Sequence, residues 1–120
     1  MAELFSRVSI GPDEYSPNTW TTFYEVRSNT TGCLSFVFSI TNCTPMHGGV
    51  DKEITVQVKI VDRDGKLVHY LLTPNILKAN GMAWDAAQKM VLYPGDKVLF
   101  QASDTGLNLY ASLVEGLMLF

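Results

Sequence analysis

Apolar and polar residues alternate with a period of two along much of this chain. In "CLSFVFSI", Leu34, Phe36, Phe38 and Ile40 fall on one side, and Cys33, Ser35, Val37 and Ser39 on the other. In "EITVQVKIVD", Ile54, Val56, Val58 and Ile60 alternate with Thr55, Gln57 and Lys59. "KVLFQAS" sets Val98, Phe100 and Ala102 against Lys97, Gln101 and Ser103, and "GLNLYASL" repeats the pattern with Leu107, Leu109, Ala111 and Leu113. Side chains that alternate in this way lie on opposite faces of a pleated sheet, one dry and one wet. The pattern predicts half-buried antiparallel strands, because buried parallel strands would be apolar on both faces.

Turn chemistry separates the runs. Asp62-Arg63-Asp64-Gly65 predicts a short hairpin in which Gly65 supplies a positive φ. Tyr93-Pro94-Gly95-Asp96 predicts a type II turn, with Pro94 fixing φ and Gly95 in the position closed to other residues. Asp104-Thr105-Gly106 closes the next connection. Two early runs, "LFSRVSI" and "WTTFYEV", read as strands split by the turn-rich "GPDEYSPN". "TPNILKANGMAWDAAQ" reads as a crossing loop capped by Trp84, with room for one helical turn, and "NCTPMHGGVD" as a mobile irregular stretch. About eight short strands, with turns about every ten residues, predict an all-β antiparallel sandwich of jelly-roll type.

The length of 120 residues fits a single domain spanning residues 1–120. With 47% hydrophobic residues, the chain can build a core without disulfides or metals as staples. A net charge of -3 with no run of Lys or Arg argues against a nucleic-acid footprint and against an electrostatic membrane site. No apolar run is long enough to span a bilayer, and "MAELFSRVSIGPDEY" lacks the basic start and long apolar stretch of a secretory leader. A soluble chain made in a cytoplasm is expected, so Asn29-Thr30-Thr31 and Asn42-Cys43-Thr44 are read as strand-edge polar residues rather than glycan acceptors. Ten residue steps between Cys33 and Cys43 along one strand span about 33 Å. A disulfide needs Cα atoms about 5.5 Å apart, so free thiols are expected.

Reactive constellations are sparse. His47 and His69 have no partner at ligand spacing, and Asp62–Gly65 lacks the later ligands of a calcium loop. No nucleophile elbow is present, Cys33 has no evident activating base, and Asp13, Glu14, Asp51 and Glu53 fit solvated positions better than acid–base roles. Neither an enzyme nor a bound cofactor is expected. Trp20, Phe23, Tyr24, Trp84, Tyr93 and Tyr110 are read first as core or cross-strand residues and second as a carbohydrate platform. The ending "VEGLMLF" stands out. Leu117, Met118, Leu119 and Phe120 would form a costly apolar patch if exposed, and Leu4 and Phe5 raise the same question at the start, so these six are candidate interface residues.

Several of these segments together resemble a family of small β-sandwich structural proteins of tailed-bacteriophage virions. The segments are the Thr-rich "TWTTFYEV", Ser39-Ile40-Thr41-Asn42 and "VQVKIVD". Then come the turn at Leu92, Pro94, Gly95, Asp96 and Val98, Ala102-Ser103, and Glu115-Gly116. The resemblance covers roughly residues 19–116 and departs at Val26-Arg27-Ser28-Asn29, where relatives usually carry a Pro-Ala-Gly turn. It implies no catalytic residues. It implies a virion protein assembled in the bacterial host cytoplasm and binding the major capsid protein or other virion subunits. A decoration or cement role is the first expectation, with a collar, neck or tail component or a receptor-binding module as alternatives. Homo-oligomers are expected. The turn residues Asp64, Gly65, Pro94, Gly95 and Asp96 would then be scaffold that keeps the strands in register.

Overall fold

The structure, a computed structural model, describes residues 2–27, 30–86 and 91–117; for residues 2–5, 30–31, 33–36 and 117 it describes the backbone alone. Eight strands follow in chain order: β1 (Ala2–Ile10), β2 (Thr21–Glu25), β3 (Thr30–Asn42), β4 (Ile54–Val61), β5 (Leu67–Leu77), β6 (Ala83–Ala86), β7 (Lys97–Ala102) and β8 (Leu107–Leu117). They form two four-stranded antiparallel sheets, ordered β1-β8-β3-β6 and β2-β7-β4-β5. The pairs β4–β5, β3–β6, β2–β7 and β1–β8 are nested like the layers of one long hairpin. Rolled up, that hairpin gains the β3–β8 and β4–β7 ladders and becomes a jelly roll.

The dry faces are the ones the alternation marks. Ile54, Val56, Val58, Val98, Phe100, Ala102, Leu107, Leu109 and Ala111 are fully buried, while Thr55 and Ser103 stay exposed. Phe38 and Ile40 of β3 join the same core. Phe23 of β2 stacks on Phe38 of β3 across the two sheets with centroids 4.6 Å apart, and Tyr15, from the β1–β2 connection, meets Phe100 of β7 edge-on at 5.3 Å. Such pairs contribute about 0.5–1.5 kcal/mol beyond their area.

Two expectations need correction. "TPNILKANGMAWDAAQ" is not a crossing loop: β5 runs on through Leu77, and Trp84 lies on β6, where it pairs with Ile40 and packs on Phe38. Pro74 is tolerated because β5 is a margin strand and the ladder slips there, from Val56↔Asn75 to Val58↔Leu72. Asn42 is not a strand-edge residue but fully buried, which leaves no room for a glycan.

Candidate interaction surface

The sandwich has two ends of different construction. At one, the Asn42 pole, Asn42 meets Leu107, Ile54 meets Leu77, and β7 ends at Ala102. At the other, the Arg27 pole, Ala2 meets Leu117, Gly32 meets Gly116, and Val61 meets both Leu67 and Lys97.

The Arg27 pole collects the candidate residues that the sequence scatters. The Asp62–Gly65 turn closes with Gly65 N–H donating to Asp62 O at 3.0 Å, while Asp62 Oδ1 accepts from the amides of Asp64 and Lys66. In the second turn, Asp96 N–H donates to Tyr93 O, and the buried Asp96 carboxylate accepts from Tyr93 N–H at 2.9 Å. Gly95 has φ 91°, and a Cβ there would fall 2.7 Å from Arg63 Cβ, so the two turns lie against each other. Gly95 N–H donates to Val26 O, and Val26 N–H donates to Asp96 O, which clamps this turn onto the end of β2. Glycine is required at Gly95 for both backbone and space.

Leu4 and Phe5 pair in register with Glu115 and Val114 at the same pole, and Leu117 pairs with Ala2 and Thr30. The backbone thus brings three of the six candidate interface residues together, although their side chains, and the whole of Met118, Leu119 and Phe120, lie outside the described residues. Beside them Glu115 is buried, and both Arg27 Nε and Nη2 donate to its Oε2, at 3.0 and 2.7 Å. That carboxylate raises the pKa of Arg27, chiefly through the hydrogen bond, and the pair ties the segment after β2 to β8 across the two sheets. Sequence reasoning passed over this pair, yet Glu115 continues the inward parity of Leu107, Leu109, Ala111 and Leu113. A charge on a dry parity signals a buried ion pair.

Next to the clamped turn is a cleft of about 370 Å³ lined chiefly by Ile60, Val68, His69, Val91, Leu92 and Tyr93. Around it Val68 is 57% exposed, Val91 60% and Tyr93 67%, and Leu67 and Tyr70 also face solvent. The apolar exposure on β5 has a backbone cause. β5 spends 11 residues against the 8 of β4, with register slips at three places, so side chains are turned off the dry face. The same slips spoil the flat hydrogen-bonding margin that invites uncontrolled strand addition.

The Asn42 pole is held by polar bonds. Asn42 Nδ2 donates to Lys52 O and Leu77 O, both at 2.8 Å, and its Oδ1 accepts from Thr44 N–H and Thr44 Oγ1–H. Tyr15 O–H donates to Asp104 O at 2.7 Å and accepts from Leu107 N–H, and burial pushes its pKa up to about 12. Thr105 N–H, with help from Lys52, lowers the pKa of Asp104, and Lys52 Nζ lies 3.3 Å from its carboxylate. His47 meets Asp13 at 3.5 Å across two loops, and His69 is an exposed residue of β5. Among the described residues no three His, Cys, Asp or Glu side chains gather as metal ligands. Cys43 is a half-buried free thiol just past the end of β3; Cys33 lies near the other end of that strand.

The aromatic residues divide. Phe23 is core, and Trp84 packs against Phe38; Trp20 carries Lys59 Nζ 4.0 Å above its ring. Tyr110 is a solvent-facing cross-strand residue of β8, opposite Ser9 and Ser39, and Tyr93 faces solvent rather than joining the core.

No model of a known protein family matches the sequence, and no curated protein matches it. The fold is similar to a chain in the acid-stable capsid structure of Helicobacter pylori bacteriophage KHP30. The TM-score is 0.54 at 11% identity, over 98% of this chain and 89% of that one. A weaker likeness, TM-score 0.48 at 12% identity, joins 96% of this chain to 31% of a chain in the T13 viral particle of IBDV.

Proposed function

We propose that this chain is a non-enzymatic structural protein of a virus particle, and within that class a tailed-phage decoration or cement protein that seats on neighbouring capsid subunits. The observation that carries the reading is the Arg27 pole. There the exposed Val68, Val91 and Tyr93 stand beside a turn fixed by four backbone and carboxylate hydrogen bonds. A rigid apolar patch loses little freedom on docking, so more of its burial, about 25 cal/mol per Å², is realised as affinity. The fold likeness over nearly all of a chain from a phage capsid structure adds support. Fold alone is insufficient, since jelly rolls also serve as lectins and cupins.

The mechanism is burial of apolar area across subunit joints, which raises the work of pulling subunits apart. Purified particles should contain the chain in a copy number that scales with the shell subunits, and particles lacking it should open at lower temperature. Absence from purified particles ends the proposal. A copy number matching a single vertex instead places the protein in the collar, neck or tail. Light scattering on the free chain tests the expected homo-oligomer.

A receptor-binding module is the second reading, favoured by the exposed Tyr93 beside the cleft. Glycan binding lost in a folded Tyr93→Ala variant would support it.

A further inference from the structure

Asn80 is exposed at the Asn42 pole and is followed by Gly81, whose neighbourhood is open: a Cβ there would meet nothing within 4 Å. An asparagine before a glycine is chemically labile, because no side chain shields the next backbone nitrogen. Here, however, that nitrogen is engaged. Gly81 N–H donates to Asn42 O at 3.0 Å, and Asn42 N–H returns a bond to Met82 O at 2.9 Å. Asn80 N–H donates to Thr44 O at 2.7 Å. The turn is held in the left-handed region at both residues, with φ 69° and 86°, and its anchor Asn42 is fully buried and bonded on both side-chain ends.

We propose that Asn80 is a deamidation site gated by this knot. The Gly81 nitrogen, deprotonated by base, attacks Asn80 Cγ; the N–Cγ bond forms, the Cγ–Nδ2 bond breaks, and the amide leaves as ammonia. Water then opens the cyclic imide to aspartate or isoaspartate. Nothing is oxidised or reduced. Attack requires Gly81 N–H to leave Asn42 O, so the rate follows the open fraction of the pole rather than the intrinsic lability of the dipeptide. The product places a new carboxylate in a cleft of about 320 Å³ that already holds Asp51 and Glu53 beside Lys52 and Lys78. Isoaspartate also lengthens the backbone inside the turn that pairs with Asn42. Modification, once made, loosens the pole that had suppressed it.

The test incubates the full chain at mildly alkaline pH, folded and in urea, and follows Asn80 by peptide mapping. The folded chain should convert at least about tenfold more slowly than the unfolded one. Thr44→Val removes the hydroxyl bonds to Asn42 and Lys52 while keeping Thr44 O, and it should convert at an intermediate rate. Hydrogen exchange at the Gly81 amide should rise in parallel. Equal rates in folded and unfolded chain, or no conversion in either, overturn the proposal. Should the variant fail to fold, the wild-type comparison and Gly81 exchange still decide.

Discussion

The two ends of the sandwich solve opposite problems with different chemistry. At the Asn42 pole, long connections must be brought to order, and one buried amide satisfies two carbonyls and two donors at once. At the Arg27 pole two tight turns are fixed by backbone and carboxylate bonds, one of them clamped to Val26, and the side chains beside them include valine and tyrosine facing water. Polar bonds specify geometry because a wrong arrangement strands a buried group. Apolar surface specifies little by itself but gains on burial against any complementary face. The Asn42 pole exposes apolar side chains as well, Met46, Val50 and Met82, so the poles differ in how their connections are held rather than in whether apolar surface meets water.

That contrast can be broken at its strongest point first. Asn42→Ala orphans the carbonyls of Lys52 and Leu77 and the Thr44 donors in a fully buried site; a loss of about 3–4 kcal/mol in urea unfolding is expected. Arg27→Ala should cost less, about 2–3 kcal/mol, because it strands the buried Glu115 carboxylate while the half-exposed arginine site admits water. Pairing it with Glu115→Gln should recover part of that loss, as a double-mutant cycle would measure.

Alkali probes the Asn42 pole again. The folded pKa of Tyr15 lies above its usual value near 10, so the folded chain keeps a proton that the unfolded chain gives up. Its contribution is fully present below pH 10 and drains as pH rises toward 12, by about 2 kcal/mol. Tyr15→Phe should lose that segment of the pH dependence. The smallest effect on stability belongs to Val68→Ser with Tyr93→Ser, within about 0.5 kcal/mol. Those two changes should nonetheless reduce binding to particles by more than about tenfold, measured by co-sedimentation. Unchanged binding would mean the patch is not the contact.

The sequence made some of this plain. β4, β7 and β8 follow from alternation alone, since each buries one unbroken face. The hairpin turn at Asp62–Gly65 marks the start of β5, but its end past Thr73 was obscured because its extra residues break the period and place Pro74 where a strand reading would stop. β6 is four residues long, too short for any period to show. Asn42 and Glu115 could have been found: each sits where parity points inward, at the end of a run of apolar residues. Lys52 returns to Asn42 through the connection that follows β3, but Leu77 and Arg27 are distant along the chain from Asn42 and Glu115 and come close only through the rolled topology.

The nested pairing also governs how the chain must fold. Among the described residues, only β4 and β5 are paired neighbours joined by a tight turn, at Asp62–Gly65. Every outer pair must close a longer loop, a cost that shrinks once the pair inside it has formed. Assembly should therefore zip outward from that hairpin, with β1 and β8 joining last. Refolding is expected over milliseconds to seconds rather than microseconds, as for other chains dominated by distant pairings.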